Sequence, residues 1–415
     1  MRMTFRGGDA KGIVYPPASK SHTHRAFFLG AMADGVSEIS NPLMADDTMS
    51  TLKSCEAMGA EVDIGDAVRI KGGNLRAPSH EIDAGNSGTT LRILTGLLSM
   101  FDTECTVTGD ASLKTRPMGP LLDALRLMGV ECTSADNRPP VTVKGPNRGG
   151  STEIDGSKSS QFVTSLLMVS PMLEKDASIS IRGKLVSKPY IDVTVSMMRD
   201  FGATVEEDRN HYNVRNTGYK PAKYTVPSDF SSAAFPLVAG ALGGPITVKG
   251  MDLSDLSGDG RIIDILRQCG ARVDAGDGEV TVSRGDITPV NLDLGANPDL
   301  FPVTAVLLSA AVGTSRIYGA PQLRLKESDR IESTVAMLND LGVMAEETDD
   351  GCVIHGKGVI SGGEVDNRGD HRIMMAAAIA SFASNNPIIM DDAECHGISY
   401  PGFIDDMRRV GMRMD

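Results

Sequence analysis

At 415 residues the chain is too long for one ordinary hydrophobic core, so two domains are expected. Its 41% hydrophobic and 23% charged content is that of a globular protein, with 22 Met and no Trp. A formal net charge of -13 argues against broad binding to nucleic acid or anionic membrane, although a local cluster of Arg and Lys can still hold a small anion.

The chain opens with MRMTFRGGDAKG, which has no apolar signal segment, and Gly8 to Gly12 is too irregular for a phosphate loop. The longest apolar runs, such as AVLLSAAVG at 305–313, fall well short of a membrane span. A soluble, cytoplasmic protein is therefore expected. The six cysteines are scattered without a CxxC pair, which favours reduced thiols over a disulfide framework.

The first strong element is SKSHTHRAFFLGAM, a polar turn running directly into an apolar helix. It is followed by LKSCEAMGAEVDI, a helix pattern stopped by Gly59 and then a short strand. These two elements alternate down the chain. The polar starts recur at GNSGTTLRILTGLL, SKSSQFVTSLLMVS, SDFSSAAFPLVAGAL, NPDLFPVTAVLLSA and GDHRIMMAAAIASF. The glycine stops recur at Gly129, Gly202, Gly270, Gly342 and Gly411, about 70 residues apart each time. Glycine suits a helix C′ position because positive φ carries no Cβ penalty there. Six such units, each with two helices and about four strands, are expected, three to a domain. The six polar-start helices are apolar along most of their length, so they are expected inside rather than on the surface.

Chemistry is expected at the helix starts, where unpaired N–H groups and the positive dipole end favour anions. Ser21, Asn86, Ser159, Asp229, Asp299 and Asp370 occupy or adjoin these starts. Capping alone explains Ser, Asn and Asp. It does not explain the basic residues beside them: Lys20 and Arg25, Arg92, and His371 with Arg372. Further cations lie in loops. Arg116 precedes a Pro that can open a helix, and Ser187 and Tyr190 flank Pro189. In LRLKESDRIES, Lys326 and Arg330 share one face if that segment is helical, with Glu327 beside it, a carboxyl among cations suited to proton transfer. His22 and His24 form an HxH with no third ligand nearby, so no metal is expected.

Together, SKSxTxR at 19–25, GNSGTTLR at 85–92, TRP at 115–117, SSQF at 159–162, SKPYID at 187–192, PD at 298–299, LRLKESDR at 323–330 and DHR at 370–372 resemble the 5-enolpyruvylshikimate-3-phosphate synthase family. They occur in the family's order and cover nearly the whole chain. The resemblance implies an α/β (α+β) fold of two domains, each of three βαβαββ units around a pseudo-threefold axis. It also implies that the N-terminal strand returns to the second domain, giving domains at 18–227 and at 1–17 plus 228–415, with the active site in the cleft. The implied reaction transfers the enolpyruvyl group of phosphoenolpyruvate to the 5-hydroxyl of shikimate 3-phosphate, with no metal or organic cofactor. A monomer with no nucleic-acid or membrane partner is expected.

By the same resemblance, Glu327 exchanges the proton of the methylene carbon, Asp299 accepts the 5-hydroxyl proton, and Lys20 bridges the substrates. Phosphoenolpyruvate would be held by Lys20, Asn86, Gly88, Arg116, Gln161, Arg330 and Arg372. Shikimate 3-phosphate would contact Lys20, Ser21, Arg25, Ser159, Ser160, Gln161, Ser187, Asp299, Gln322 and Lys326. Arg92 also falls in a motif, where a structural role is the stronger reading. Two positions depart from the family. Ile398 stands where a Lys is often found, which bears on phosphoenolpyruvate affinity and the response to glyphosate, and Gln322 stands where Asn is common. The competing readings are a UDP-N-acetylglucosamine enolpyruvyl transferase, whose reactive Cys is absent from the loop GDASLKTRP, and a non-catalytic repeat scaffold.

Overall fold

The polar starts and glycine stops bracket helices in the computed structural model, which describes residues 1–415. In chain order the helices are α1 (Lys20–Met32), α2 (Asp46–Ala57), α3 (Gly88–Leu98), α4 (Gly119–Leu127), α5 (Ser160–Val169) and α6 (Lys188–Asp200). They continue with α7 (Phe230–Gly243), α8 (Ile262–Gln268), α9 (Phe301–Ser309), α10 (Arg330–Asp340), α11 (His371–Ala380) and α12 (Phe403–Arg409). The odd-numbered helices follow the polar starts, and the even-numbered helices end at the glycines.

All residues of α7, α9 and α11 are buried, as are all but the first two of α1. A helix apolar on every side has no solvent face to offer and must lie inside. Each large apolar side chain buried this way contributes about 1.5–3 kcal/mol. The even-numbered helices keep exposed polar positions, such as Lys53 and Glu56 in α2.

The six stops share one hydrogen-bonding pattern. After α2, the Gly59 N–H donates to Glu56 O and the Ala60 N–H to Cys55 O, with Gly59 at φ 100°. The same pair of bonds recurs at Gly129, Gly202, Gly270, Gly342 and Gly411, each with positive φ. The residue after each glycine (Ala60, Val130, Ala203, Ala271, Val343, Met412) is apolar and buried. This is the Schellman closure, in which a left-handed residue satisfies the last carbonyls and turns the chain into its strand.

The strands form six four-stranded sheets of one topology. In the sheet whose first two strands flank α5, Gly150–Asp155 runs parallel to Ala177–Arg182, which pairs antiparallel with His211–Val214, itself paired to Val205–Asp208. The chain divides into a continuous unit, Ala18–Val226, and a discontinuous one, Met1–Pro17 with Pro227–Asp415. Each has three sheets and its own apolar core.

Three strands leave their local repeat. Gly12–Val14 precedes α1 but pairs parallel with Ile246–Lys249 of the discontinuous unit, and Lys223–Thr225 precedes α7 but pairs with Val36–Ser40 of the continuous unit. Met3–Arg6 lies between Ile388–Met390 and Arg413–Met414, supplying the second-from-edge strand of the last repeat. All six cysteines are free, and burial pushes the Cys269, Cys352 and Cys395 thiols up to about 12. No helix is long and apolar enough to cross a membrane.

Candidate active site

In the continuous unit the candidate residues gather at the starts of α1, α3, α5 and α6. Ser19 caps α1 by accepting from the His22 N–H, so the cap lies two residues before Ser21. The cap leaves Lys20 as the first helical residue, and its Nζ donates to Asp47 Oδ2 at 2.9 Å. Arg25 is buried, and its guanidinium bonds go to neutral oxygens: Thr194 Oγ1 at 2.8 Å, Ser21 O at 2.7 Å and Tyr190 O at 3.1 Å. Burial pushes its pKa down to about 10, with only the Tyr190 and Tyr224 phenols opposing. A cation buried among neutral dipoles is suited to an anion from outside.

Ser87, not Asn86, caps α3, accepting from the Thr90 N–H at 3.1 Å. Asn86 is used differently: its Oδ1 accepts from Arg116 Nη2 at 2.7 Å and its Nδ2 donates to Asp110 Oδ2 at 2.7 Å. Arg116 closes the short turn Leu113–Thr115, and α4 starts at Gly119 with Pro120 in its first turn. The expectation that the Pro after Arg116 opens a helix is therefore corrected: Pro120, free of a needed N–H at that position, does so instead.

Gly88, Arg116, Arg92 and Gln161 converge. A Cβ on Gly88 would lie 3.0 Å from Arg116 Nη1, 3.3 Å from Arg92 Nη1 and 3.7 Å from Gln161 Oε1. Arg92 Nη1 donates to Gln161 Oε1 at 2.5 Å and its guanidinium lies over the Phe162 ring, while Gln161 Nε2 donates to Thr89 Oγ1 at 2.9 Å. Arg92 thus fixes which way the Gln161 amide faces. Ser159 caps α5 through the Gln161 N–H at 3.2 Å, with Ser160 buried as the first helical residue. Ser187 precedes α6 at φ 52°, an uncommon conformation for a residue with a Cβ, and its side chain makes no cap bond. His22 Nδ1 bonds Ser19 Oγ and His24 Nδ1 bonds Thr51 Oγ1, so the two rings serve different neighbours.

In the discontinuous unit the candidates form one charge cluster. Asp299 lies in the short turn Pro298–Leu300 that leads into α9. Its Oδ1 accepts from Arg330 Nη1 at 3.0 Å and lies 3.6 Å from Lys326 Nζ, and its Oδ2 accepts from Arg372 Nη2 at 3.0 Å. Arg330 Nη2 also donates to Glu327 Oε2 at 2.6 Å, and its Nε and Nη2 reach both oxygens of Asp370 at 2.9 and 3.2 Å. Burial alone would raise the Asp299 pKa, but Arg372, Lys326 and Arg330 overcome it and hold the carboxyl well below the usual range. Burial lowers the Lys326 pKa despite Asp299 beside it. The cluster balances three cations against three carboxylates.

The stretch LRLKESDRIES is not one continuous helix, so the condition for Lys326 and Arg330 to share a helix face is not met. Pro321–Leu325 is a 3₁₀ turn, Lys326 is extended, and α10 begins only at Arg330. Asp329 caps α10 by accepting from the Glu332 N–H at 3.1 Å, and Arg324 Nη1 holds the other oxygen at 2.8 Å. Lys326 and Arg330 therefore meet through Asp299 rather than along a helix face. Gln322 Nε2 donates to Gly295 O at 2.9 Å, leaving its buried Oε1 without a partner, so this amide presents an acceptor. Ile398 ends the turn Ala393–Ile398 and brings no charge.

Residues 6–407 match the family model for EPSP synthase (3-phosphoshikimate 1-carboxyvinyltransferase). The chain belongs to the EPSP synthase family. The 3-phosphoshikimate 1-carboxyvinyltransferase of Methanocorpusculum labreanum is 45% identical, with 100% of this chain and 99% of that protein covered. That of Methanothermobacter thermautotrophicus is 41% identical, with 99% and 98% covered. Among solved structures, EPSP synthase from Acinetobacter baumannii is 28% identical and superposes with a TM-score of 0.83, covering 100% of this chain and 99% of that one. EPSP synthase family membership also disfavours the UDP-sugar transferase and scaffold readings.

Against this EPSP synthase background, two groups stand out that motif reading did not assign: Asp47 on Lys20, and Asp370 on Arg330. Both partners are distant in sequence, 27 and 40 residues away. Only the helix-start position of Asp370 was visible as a signal.

Proposed function

We propose that the chain transfers the enolpyruvyl group of phosphoenolpyruvate to the 5-hydroxyl of shikimate 3-phosphate and releases phosphate. The observation that supports this most is the buried cluster of Lys326, Glu327 and Arg330 around Asp299 and Arg372, in a chain of this family. Both substrates are multiply anionic, so oriented cations and helix starts supply binding and charge stabilisation.

In this reading Glu327 delivers a proton to the methylene carbon as the 5-hydroxyl oxygen attacks the adjacent carbon, and Asp299 takes the hydroxyl proton. The tetrahedral ketal then loses a proton from its new methyl group and expels phosphate, restoring the enol ether. Lys20 bridges the substrates. Arg116, Arg330 and Arg372, with Asn86, Gly88 and Gln161, bind phosphoenolpyruvate. Ser21, Arg25, Ser159, Ser160, Ser187, Gln322 and Lys326 bind shikimate 3-phosphate. Two details fit these roles: the neutral shell of Arg25 suits a phosphate, and the open Gln322 Oε1 suits a ring hydroxyl. The enzyme is taken to act as a monomer.

A coupled phosphate-release assay with both substrates tests the reaction. Turnover is expected; none with these substrates, together with activity on a UDP-sugar, would sink the proposal.

A further inference from the structure

We propose that Asp370 is a positioning residue for this reaction, one carboxylate that sets three parts of the candidate site at once. It is fully buried and makes four bonds to three functional elements. Its two oxygens chelate Arg330 through Nε and Nη2 at 2.9 and 3.2 Å. Its Oδ1 accepts from the Arg372 N–H at 2.9 Å, capping α11 and fixing where Arg372 leaves the helix. Its Oδ2 accepts from Ser328 Oγ at 3.1 Å, tethering the non-helical segment that carries Lys326 and Glu327.

The chelation decides how the Arg330 guanidinium is turned. With Nε and one edge of Nη2 held by Asp370, Nη1 is aimed at Asp299 and the remaining Nη2 hydrogen at Glu327. Capping alone does not require this arrangement, because Asn caps a helix about as well as Asp. An amide at 370 cannot reproduce the clamp. It would set an NH₂ group against a guanidinium N–H, donor facing donor, and remove the charge that holds the fork. Asp370 therefore keeps Arg330 and the Glu327 segment in register, without touching substrate.

The inference rests on the proposed reaction, and the experiment separates the two. Wild-type enzyme, Asp370→Asn and Ser328→Ala are compared in steady-state kinetics with each substrate varied, alongside thermal unfolding. Asp370→Asn is expected to keep a cooperative transition while kcat/KM for phosphoenolpyruvate falls about 100-fold, the scale of a small misplacement in a catalytic array. Ser328→Ala removes only the tether, so kcat is expected to fall about tenfold with both KM values and the unfolding temperature near wild type. A folded Asp370→Asn enzyme with wild-type kcat/KM for phosphoenolpyruvate overturns the assignment. If that variant does not fold, Ser328→Ala decides, and an unchanged kcat there also overturns it. Inactivity of the wild-type enzyme would count against the reaction itself instead.

Discussion

Arg25 and Arg330 are both buried guanidinium groups, yet their surroundings differ. Arg330 meets Asp370, Glu327 and Asp299, and these carboxylates outweigh burial to raise its pKa. Arg25 meets only neutral oxygens, and burial lowers its pKa to about 10. Replacing Arg25 by Gln should therefore act on anion binding rather than on the chemical step. Charge-assisted hydrogen bonds are worth about 1.5–3 kcal/mol, so KM for shikimate 3-phosphate should rise roughly 10- to 150-fold, with kcat little changed. Steady-state kinetics checks this, and an equal rise in KM for phosphoenolpyruvate would contradict it. The Asp299 and Asp370 carboxyls make the opposite kind of prediction. Burial opposes their ionisation, but neighbouring cations depress both pKa values below the unfolded value. Their stabilisation is therefore complete above the ordinary carboxylate range and is lost as pH falls through it, below about pH 4. Denaturant titrations between acid and neutral pH should show that loss, with a shallower acid limb in Asp299→Asn.

At the scale of elements, the helix boundaries were legible wherever the signal was local. The six glycine stops depend only on a left-handed residue and its nearest carbonyls, so spacing alone located them. Lys326 and Arg330, four residues apart, would share a face only in a helix, and the segment between them is not one. The signal for this was present in Asp329 followed by Glu332, a start pattern for a helix beginning at Arg330. The partners of Lys20 and Arg330 were not legible, because helix packing brings Asp47 and Asp370 to them and no local spacing encodes it. The stops also differ in their surroundings, which makes them testable against one another. A Cβ on Gly129 meets nothing within 4 Å, whereas one on Gly270 would sit 2.3 Å from Asp286 O. Gly129→Ala should cost about 1–2 kcal/mol, the left-handed penalty alone. Gly270→Ala should cost clearly more, since backbone must move; equal losses in urea denaturation would refute the comparison.

For the whole molecule, two separate cores imply two unfolding transitions that respond to different mutations. Phe5 is fully buried in the core of the discontinuous unit. Truncating such a side chain to Ala costs about 3–5 kcal/mol. Phe5→Ala should lower the transition of that unit by roughly 6–20 °C and leave that of Ala18–Val226 in place. Calorimetry of the full chain resolves this, and a common shift of both transitions would show that the units unfold as one.

The strand at Met3–Arg6 also sets an order of events during synthesis. Its neighbours, Ile388–Met390 and Arg413–Met414, are made nearly a whole chain later. At typical translation speeds of 5–20 residues per second, the strand waits roughly 20–80 s with both edges open. The continuous unit has all its strands by Thr225 and can close while the ribosome is still working. The nascent chain therefore carries one finished domain behind a leading strand whose sheet does not yet exist. Arg2 precedes that strand and Arg6 ends it, and such charge deters stray edge pairing during the wait.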